Sequence, residues 1–146
     1  MIFLCDIDST IADLSHRLHF IENGNKQWDE FYAAVAMDKP IPEVIQTIQL
    51  LSQSGATILL VTGRSSACRF ETVMWLHGHG VPFEGLYMRD ENDYRQDNVV
   101  KGELLDQLAG EWDVSQVIGV FEDRQQCVDL YRARGLKVFQ VADGDY

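Results

Sequence analysis

Two aspartates spaced two apart, Asp6 and Asp8, close the apolar stretch Phe3-Leu4-Cys5 and are followed by the hydroxyls of Ser9 and Thr10. The apolar run 1–4 predicts a short buried strand. Both carboxylates then fall at a strand's C-terminal end, where open α/β sheets hold their ligands. Along an extended chain, positions i and i+2 point to one side. The two carboxylates are therefore expected to crowd and to repel unless a cation joins them. Such a pair suits Mg²⁺, which prefers oxygen ligands, and it suits a carboxylate nucleophile that forms an aspartyl-phosphate.

Three more polar groups stand at comparable places. Thr62-Gly63-Arg64 follows the apolar run 57–61; a hydroxyl with exposed backbone N–H groups at a strand-to-helix turn makes a phosphate cradle. Lys101 stands near the start of a helix expected over 99–108 and can neutralise phosphate oxygens as a compact point charge. Glu122-Asp123, with Arg124 behind, ends the apolar run 117–121 and supplies a second acidic pair.

The elements that must position these groups alternate. Strands are expected over 57–61, 86–88, 117–121 and 136–141. The helices between them are read over 67–77, stopped by Gly78 and Gly80, over 99–108, and over 125–134, stopped by Gly135. A helix opened by Pro40 and Pro42, with Val44, Ile48 and Leu51 on one face, precedes the second strand and stops at Gly55. This order argues for a parallel sheet covered on both faces. The stretch 15–40 interrupts it with two short helices, 16–23 and 27–36, around Asn23-Gly24-Asn25, and reads as a small helical insertion beside the site. Trp28, Phe31 and Tyr32 have helical spacing and are read as its core, with base stacking as the sharper alternative. His16 and His19 lack a third ligand for a metal, His16-Arg17 is a candidate substrate-facing pair, and His77 and His79 are read as structural.

The 146 residues suggest one domain with one good core. The formal net charge is −11, from 12 basic and 23 acidic residues, so tight binding of long duplexes is not expected. Half of the basic residues, Arg64, Arg69, Arg89, Arg95, Lys101 and Arg124, fall in or near the segments above, which allows a local cationic pocket for a phosphate or a strand end. No apolar run approaches the roughly 20 residues of a membrane span, and the first residues do not read as a secretory signal. Cys5, Cys68 and Cys127 are odd in number and lack metal-ligand spacing. They read as reduced thiols, which implies a cytoplasmic setting. Oligomeric state is left open.

The order Asp6-Ile7-Asp8-Ser9-Thr10, Thr62, Lys101, Glu122-Asp123 resembles the four motifs of the haloacid dehalogenase superfamily of phosphohydrolases. The resemblance implies a three-layer α/β/α Rossmann-like domain over 1–146, with a central parallel sheet and a small insertion after the first strand. A closer likeness, in Asp93-Tyr94-Arg95-Gln96-Asp97-Asn98-Val99-Val100-Lys101, in Glu122-Asp123-Arg124-Gln125-Gln126 and in the ending Phe139 to Tyr146, is to the 3′-phosphatase domains of the bacteriophage polynucleotide kinase/phosphatase kind. It fades over 15–45. No G-x-x-x-x-G-K-[ST] loop is present, so 5′-kinase activity is not expected. Ser9 replaces the glycine commonest in the first motif.

The resemblance implies that Asp6 attacks phosphorus and that Asp8 protonates the leaving alcohol and then deprotonates water. It implies that Asp6, the Asp8 carbonyl and Asp123 hold Mg²⁺ with support from Glu122, and that Thr62, Gly63, Thr10 and Lys101 surround the phosphate. Four carboxylates are expected to share these cations, and their crowding to raise the Asp8 pKa. Arg64, Arg89 and Arg95 are candidates for substrate contact, and Asp97 for orienting Lys101. The substrate implied is a 3′-phosphate on DNA or RNA. A nucleotidase acting on nucleoside monophosphates is the alternative, and a non-catalytic nucleotide-binding module the reading from another class.

Overall fold

A computed structural model describes residues 1–144; Asp145 and Tyr146, which finish the phosphatase-like ending, lie outside the described residues. The elements in chain order are β1 (Ile2–Cys5), β2 (Ala12–Asp13), α1 (Trp28–Ala33), β3 (Lys39–Pro40), α2 (Pro42–Gln53), β4 (Thr57–Ser65) and α3 (Arg69–Gly78). β5 (Gly85–Arg89), α4 (Asp97–Ala109), β6 (Val117–Arg124), α5 (Gln125–Ala133) and β7 (Val138–Gly144) follow. Five of the strands form one parallel sheet in the order β5-β4-β1-β6-β7. The α/β fold expected from the sequence is the one observed. No described helix is long and apolar enough to cross a membrane.

Alternation along the central strands builds the three layers. Phe3 and Cys5 of β1 and Ile58 and Leu60 of β4 face a core completed by Ile45 and Ile48 of α2 and Trp75 and Leu76 of α3. Ile2, Leu4, Leu59 and Val61 face the other way, onto Val100, Leu104 and Leu108 of α4 and Val128 and Tyr131 of α5. Strands buried on both faces must read as unbroken apolar runs, which is why β1, β4 and β6 were legible at once.

The strands run further than expected. β4 carries Thr62-Gly63-Arg64 and β6 carries Glu122-Asp123-Arg124 within their last residues. Their ladders are irregular there: the β4–β5 register breaks between Thr62 and Ser65, and the β6–β7 register between Glu122 and Arg124. Such breaks re-aim side chains at the rim of a sheet. The motif that was read as a turn is thus the irregular end of a strand.

The insertion is less helical than expected. Ser15–Phe20 is 3₁₀ helix, α1 has six residues and Val35–Met37 is again 3₁₀. Neither 3₁₀ segment has a side-chain N-cap, and short uncapped helices are marginal without packing. The antiparallel pair β2–β3 closes its base. Pro40 lies in β3, and the helix starts at Pro42. Ile41, which precedes a proline, is held extended at φ −102°, ψ 94°.

Candidate active site

The ends of β1, β4 and β6 converge, and the first cluster of charge forms where β1 meets β6. Asp6 leaves β1 with its N–H donated to the Phe121 carbonyl (2.9 Å). The Lys101 ammonium donates to Asp6 Oδ1 at 2.8 Å and to Glu122 Oε2 at 2.7 Å. The Thr10 hydroxyl lies 3.3 Å from both Asp6 Oδ2 and Asp123 Oδ1. Asp6, Glu122, Asp123, Lys101 and Thr10 are all buried. Burial and the Glu122 charge push the Asp6 carboxyl up to about 8, even with Lys101 opposing them. Glu122 is raised mainly by burial. Against burial, Asp6 and Glu122 hold the Lys101 ammonium well above its usual range.

Asp8 belongs to a second cluster. Arg17 Nη2 donates to its Oδ1 at 2.7 Å, and Arg64 grips it through Nε and Nη2 at 2.8–3.2 Å. Behind them Asp38 accepts from Arg17 Nε and Nη2 (both 2.8 Å) and from Arg64 Nη2 (2.7 Å), with His16 at 2.7 Å. Burial pushes the Asp8 carboxyl up, but Arg64 and Arg17 together hold it below the usual carboxylate range. This corrects the sequence expectation twice. The four carboxylates do not share one set of cations, and Asp6, not Asp8, is the one raised, by burial first and by the Glu122 charge second.

The remaining expected residues fall around these two clusters. Thr62 is fully buried, and its hydroxyl accepts from the Arg64 N–H at 3.1 Å, a local side-chain-to-backbone bond that shapes the strand end. Gly63 is required for space, since a Cβ there would collide with the Asp97 carboxylate. Asp97 accepts from Arg89 (2.9 Å) and sits 3.3 Å from Arg124 and 3.8 Å from Lys101. Despite burial, Lys101, Arg124 and Arg89 lower its pKa. Arg89 also donates to the carbonyls of Gly63, Asp93 and Arg95 at 2.6–3.1 Å. The guanidinium groups of Arg64 and Arg89, read as candidates for substrate contact, are thus engaged by protein oxygens. Arg95 is half exposed and paired with Asp93 and Glu103. Ser9 adopts φ +62°, the conformation in which glycine is the least strained residue, which explains the glycine usual there. His16 pairs with Asp38 and His19 packs on Phe20 at 4.0 Å, so the two histidines are directed to different neighbours.

A family model described as the polynucleotide kinase PNKP phosphatase domain matches residues 1–146. The chain belongs to that family. A PNKP-type phosphatase domain is a haloacid dehalogenase-superfamily phosphatase, and the chain is accordingly a phosphomonoesterase. Two solved structures agree. A chain of a Pnkp1/Rnl/Hen1 complex is 32% identical with TM-score 0.82, over 99% of this chain and 46% of that one. A chain of the Pnkp1/Rnl/Hen1 RNA repair complex is 31% identical with TM-score 0.81, over 99% and 43%. This chain therefore spans less than half the length of either. A D,D-heptose 1,7-bisphosphate phosphatase from B. bronchiseptica, complexed with magnesium and phosphate, shares the fold at 16% identity and TM-score 0.65, over 95% of this chain and 79% of that one.

The acidic cluster of this PNKP-type domain fits a hard divalent cation. Asp6, Glu122 and Asp123 each offer a carboxylate oxygen within 4.8 Å of the others. Three buried carboxylates crowd together here, and a cation joining them would relieve their repulsion. The donors are all oxygen, as Mg²⁺ prefers. Asp8 offers no carboxylate to this group, because its side chain is turned to Arg17 and Arg64.

Above both clusters opens a cavity of about 250 Å³ whose lining includes Asp6, Asp8, Glu122 and Asp123. Sequence reasoning found these, but it did not find Asp38 and took Arg17 as facing the substrate. Both are fully or nearly buried. Their only sequence signal is a charge in an otherwise loosely patterned insertion, and that has no fixed spacing to Asp8 or Arg64.

Proposed function

We propose that the chain is a Mg²⁺-dependent phosphatase that removes 3′-phosphates from DNA or RNA ends through an aspartyl-phosphate on Asp6. The observation that carries this reading is the separation of the two aspartates: a crowded, buried Asp6 bonded to Lys101, beside an Asp8 held ionised by two arginines. Asp6 attacks phosphorus as the bond to the 3′ oxygen breaks. Asp8, whose side chain is 23% exposed at the cavity, takes its proton from solvent and gives it to the leaving oxygen. It then takes a proton from the water that opens the acyl phosphate, releasing phosphate and restoring Asp6. Lys101 opposes the burial that raises the Asp6 carboxyl and faces the incoming phosphate charge. Mg²⁺, held by Asp6, Glu122 and Asp123, supplies charge neutralisation at the phosphate. Arg64 and Arg17 position Asp8, and Arg89 positions Asp97 and the 90–96 loop. Arg95, half exposed at the cavity, would meet a nucleic-acid backbone by exchanging its pairs with Asp93 and Glu103.

The net charge of −11 favours a second reading, a nucleotidase for nucleoside monophosphates. Phosphate release in Mg²⁺ separates the two. The first reading expects selective release from a 3′-phosphorylated oligonucleotide over its 5′-phosphorylated twin and over 3′- and 5′-mononucleotides. Faster turnover of the free mononucleotides would replace it with the second. Chelation of the metal is expected to abolish release from every substrate.

A further inference from the structure

Part of the cavity wall is aromatic. Trp28 and Tyr32 stack with centroids 5.9 Å apart at 22°, and Tyr94 stands 6.4 Å from Trp28 at 44°. All three line the same cavity as Asp6 and Asp8. The sequence suggested an insertion core made of Trp28, Phe31 and Tyr32: the three rings do pack on one another, with Tyr32 half-buried against the hydrophobic core, and Trp28 and Tyr32 also reach the cavity. Phe31 is 7% exposed and lies under the Arg17 guanidinium at 4.3 Å. Tyr94, contributed by a different loop, is 66% exposed.

The polar ends of these rings are unspent. Elsewhere the indole N–H of Trp75 donates to the Asp38 carbonyl and that of Trp112 to the Tyr87 hydroxyl. Among the described residues, no hydrogen bond engages the Trp28 N–H or the Tyr32 and Tyr94 hydroxyls, although buried tryptophan and tyrosine usually find a partner. The Lys26 ammonium lies over the Trp28 ring, 5.6 Å from its centroid. The loop bearing Tyr94 is pinned on both sides of that residue, where Arg89 binds the carbonyls of Asp93 and Arg95. The same Arg89 binds Gly63 of β4, so the wall and the catalytic strand ends share one anchor.

We infer that Trp28, Tyr32 and Tyr94 form a stacking subsite for the nucleobase of the nucleotide whose phosphate meets Asp6. This rests on the phosphatase reading above and adds what distinguishes a nucleotide end from any other phosphomonoester. Flat π faces with polar edges beside a phosphate site match a base joined to a sugar phosphate, and Lys26 and Arg95 at the rim match an anionic backbone. Stacking of this kind tolerates every base, so the subsite selects for a base rather than for a sequence.

The test compares the full chain in Mg²⁺ on a 3′-phosphorylated trinucleotide and on the same trinucleotide with an abasic terminal residue. The wild type is expected to show kcat/KM about tenfold or more higher for the base-bearing substrate, chiefly through KM. Trp28→Leu and Tyr94→Leu should bring that ratio towards one, while Trp28→Phe and Tyr94→Phe keep most of it. A wild-type ratio near one, or a ratio unmoved in both leucine variants, overturns the subsite. Should Trp28→Leu fail to fold by circular dichroism, Tyr94→Leu decides, since its side chain is largely in solvent. If the wild type instead prefers 5′-mononucleotides, the 3′-end reading falls by itself. The same ratio, taken between a 5′-mononucleotide and deoxyribose 5-phosphate, then judges the subsite.

Discussion

Asp6 and Asp8 are two residues apart and chemically identical, yet the fold gives them opposite surroundings. Around Asp6, three buried carboxylates meet one ammonium, and the Asp6 carboxyl is pushed up to about 8. Around Asp8, two arginines meet two aspartates, charge closes within the group, and the Asp8 carboxyl is pulled down. The first cluster is built from the sheet and α4, and the second from the insertion and β4. The first gathers three buried carboxylates whose oxygens lie within reach of one cation, as a metal site requires. The second is complete in itself, as a device that holds one side chain must be. A carboxylate's role is thus set by which cations the chain brings to it, not by its place in a short motif.

The largest effect should come from the first cluster. Asp6→Asn is expected to lower turnover by about 10⁴-fold or more while leaving the thermal midpoint unchanged or higher, because it removes a carboxylate that burial and Glu122 disfavour. A variant with wild-type rate would remove Asp6 as the nucleophile. The second cluster should respond in stability. Asp38→Asn leaves buried guanidinium charge uncompensated, and a loss of about 3–5 kcal/mol in urea unfolding is expected. Equal stability of Asp6→Asn and Asp38→Asn would erase the contrast between the clusters.

Arg17→Gln sharpens the comparison through pH. Arg17 is one of two cations holding the Asp8 pKa down, so its loss moves that pKa up. The descending limb of kcat/KM, where Asp8 loses the proton it gives to the leaving oxygen, should then shift to higher pH; an unmoved limb would mean that Arg64 alone holds Asp8. The smallest effect is expected at Ser9→Gly. Relief of the φ +62° conformation, worth about 1–2 kcal/mol in a left-handed residue, is offset by the greater chain entropy of glycine, about 0.5–1 kcal/mol. A small rise in thermal midpoint, with activity kept, is the expected result.

The sequence by itself determined the layers and the reactive strand ends. Strands buried on both faces must be continuous apolar runs, so β1, β4 and β6 announced themselves, and with them the positions of Asp6, Thr62 and Glu122-Asp123. The left-handed glycines that follow two helices, Gly80 and Gly135, were equally local, although α3 itself runs through Gly78. Asp145 and Tyr146 of the phosphatase-like ending fall outside the described residues. Tertiary structure alone decided the partners. Lys101 reaches Asp6 across 95 residues, Arg64 reaches Asp8 across 56, and Arg17 and Asp38 come from an insertion with no regular period. It also decided that Tyr94 faces Trp28 from a distant loop. Periodicity reports which face of an element is buried, because burial repeats with the geometry of strand and helix. The charge that meets a given carboxylate depends on where separate elements cross, and no local spacing encodes that.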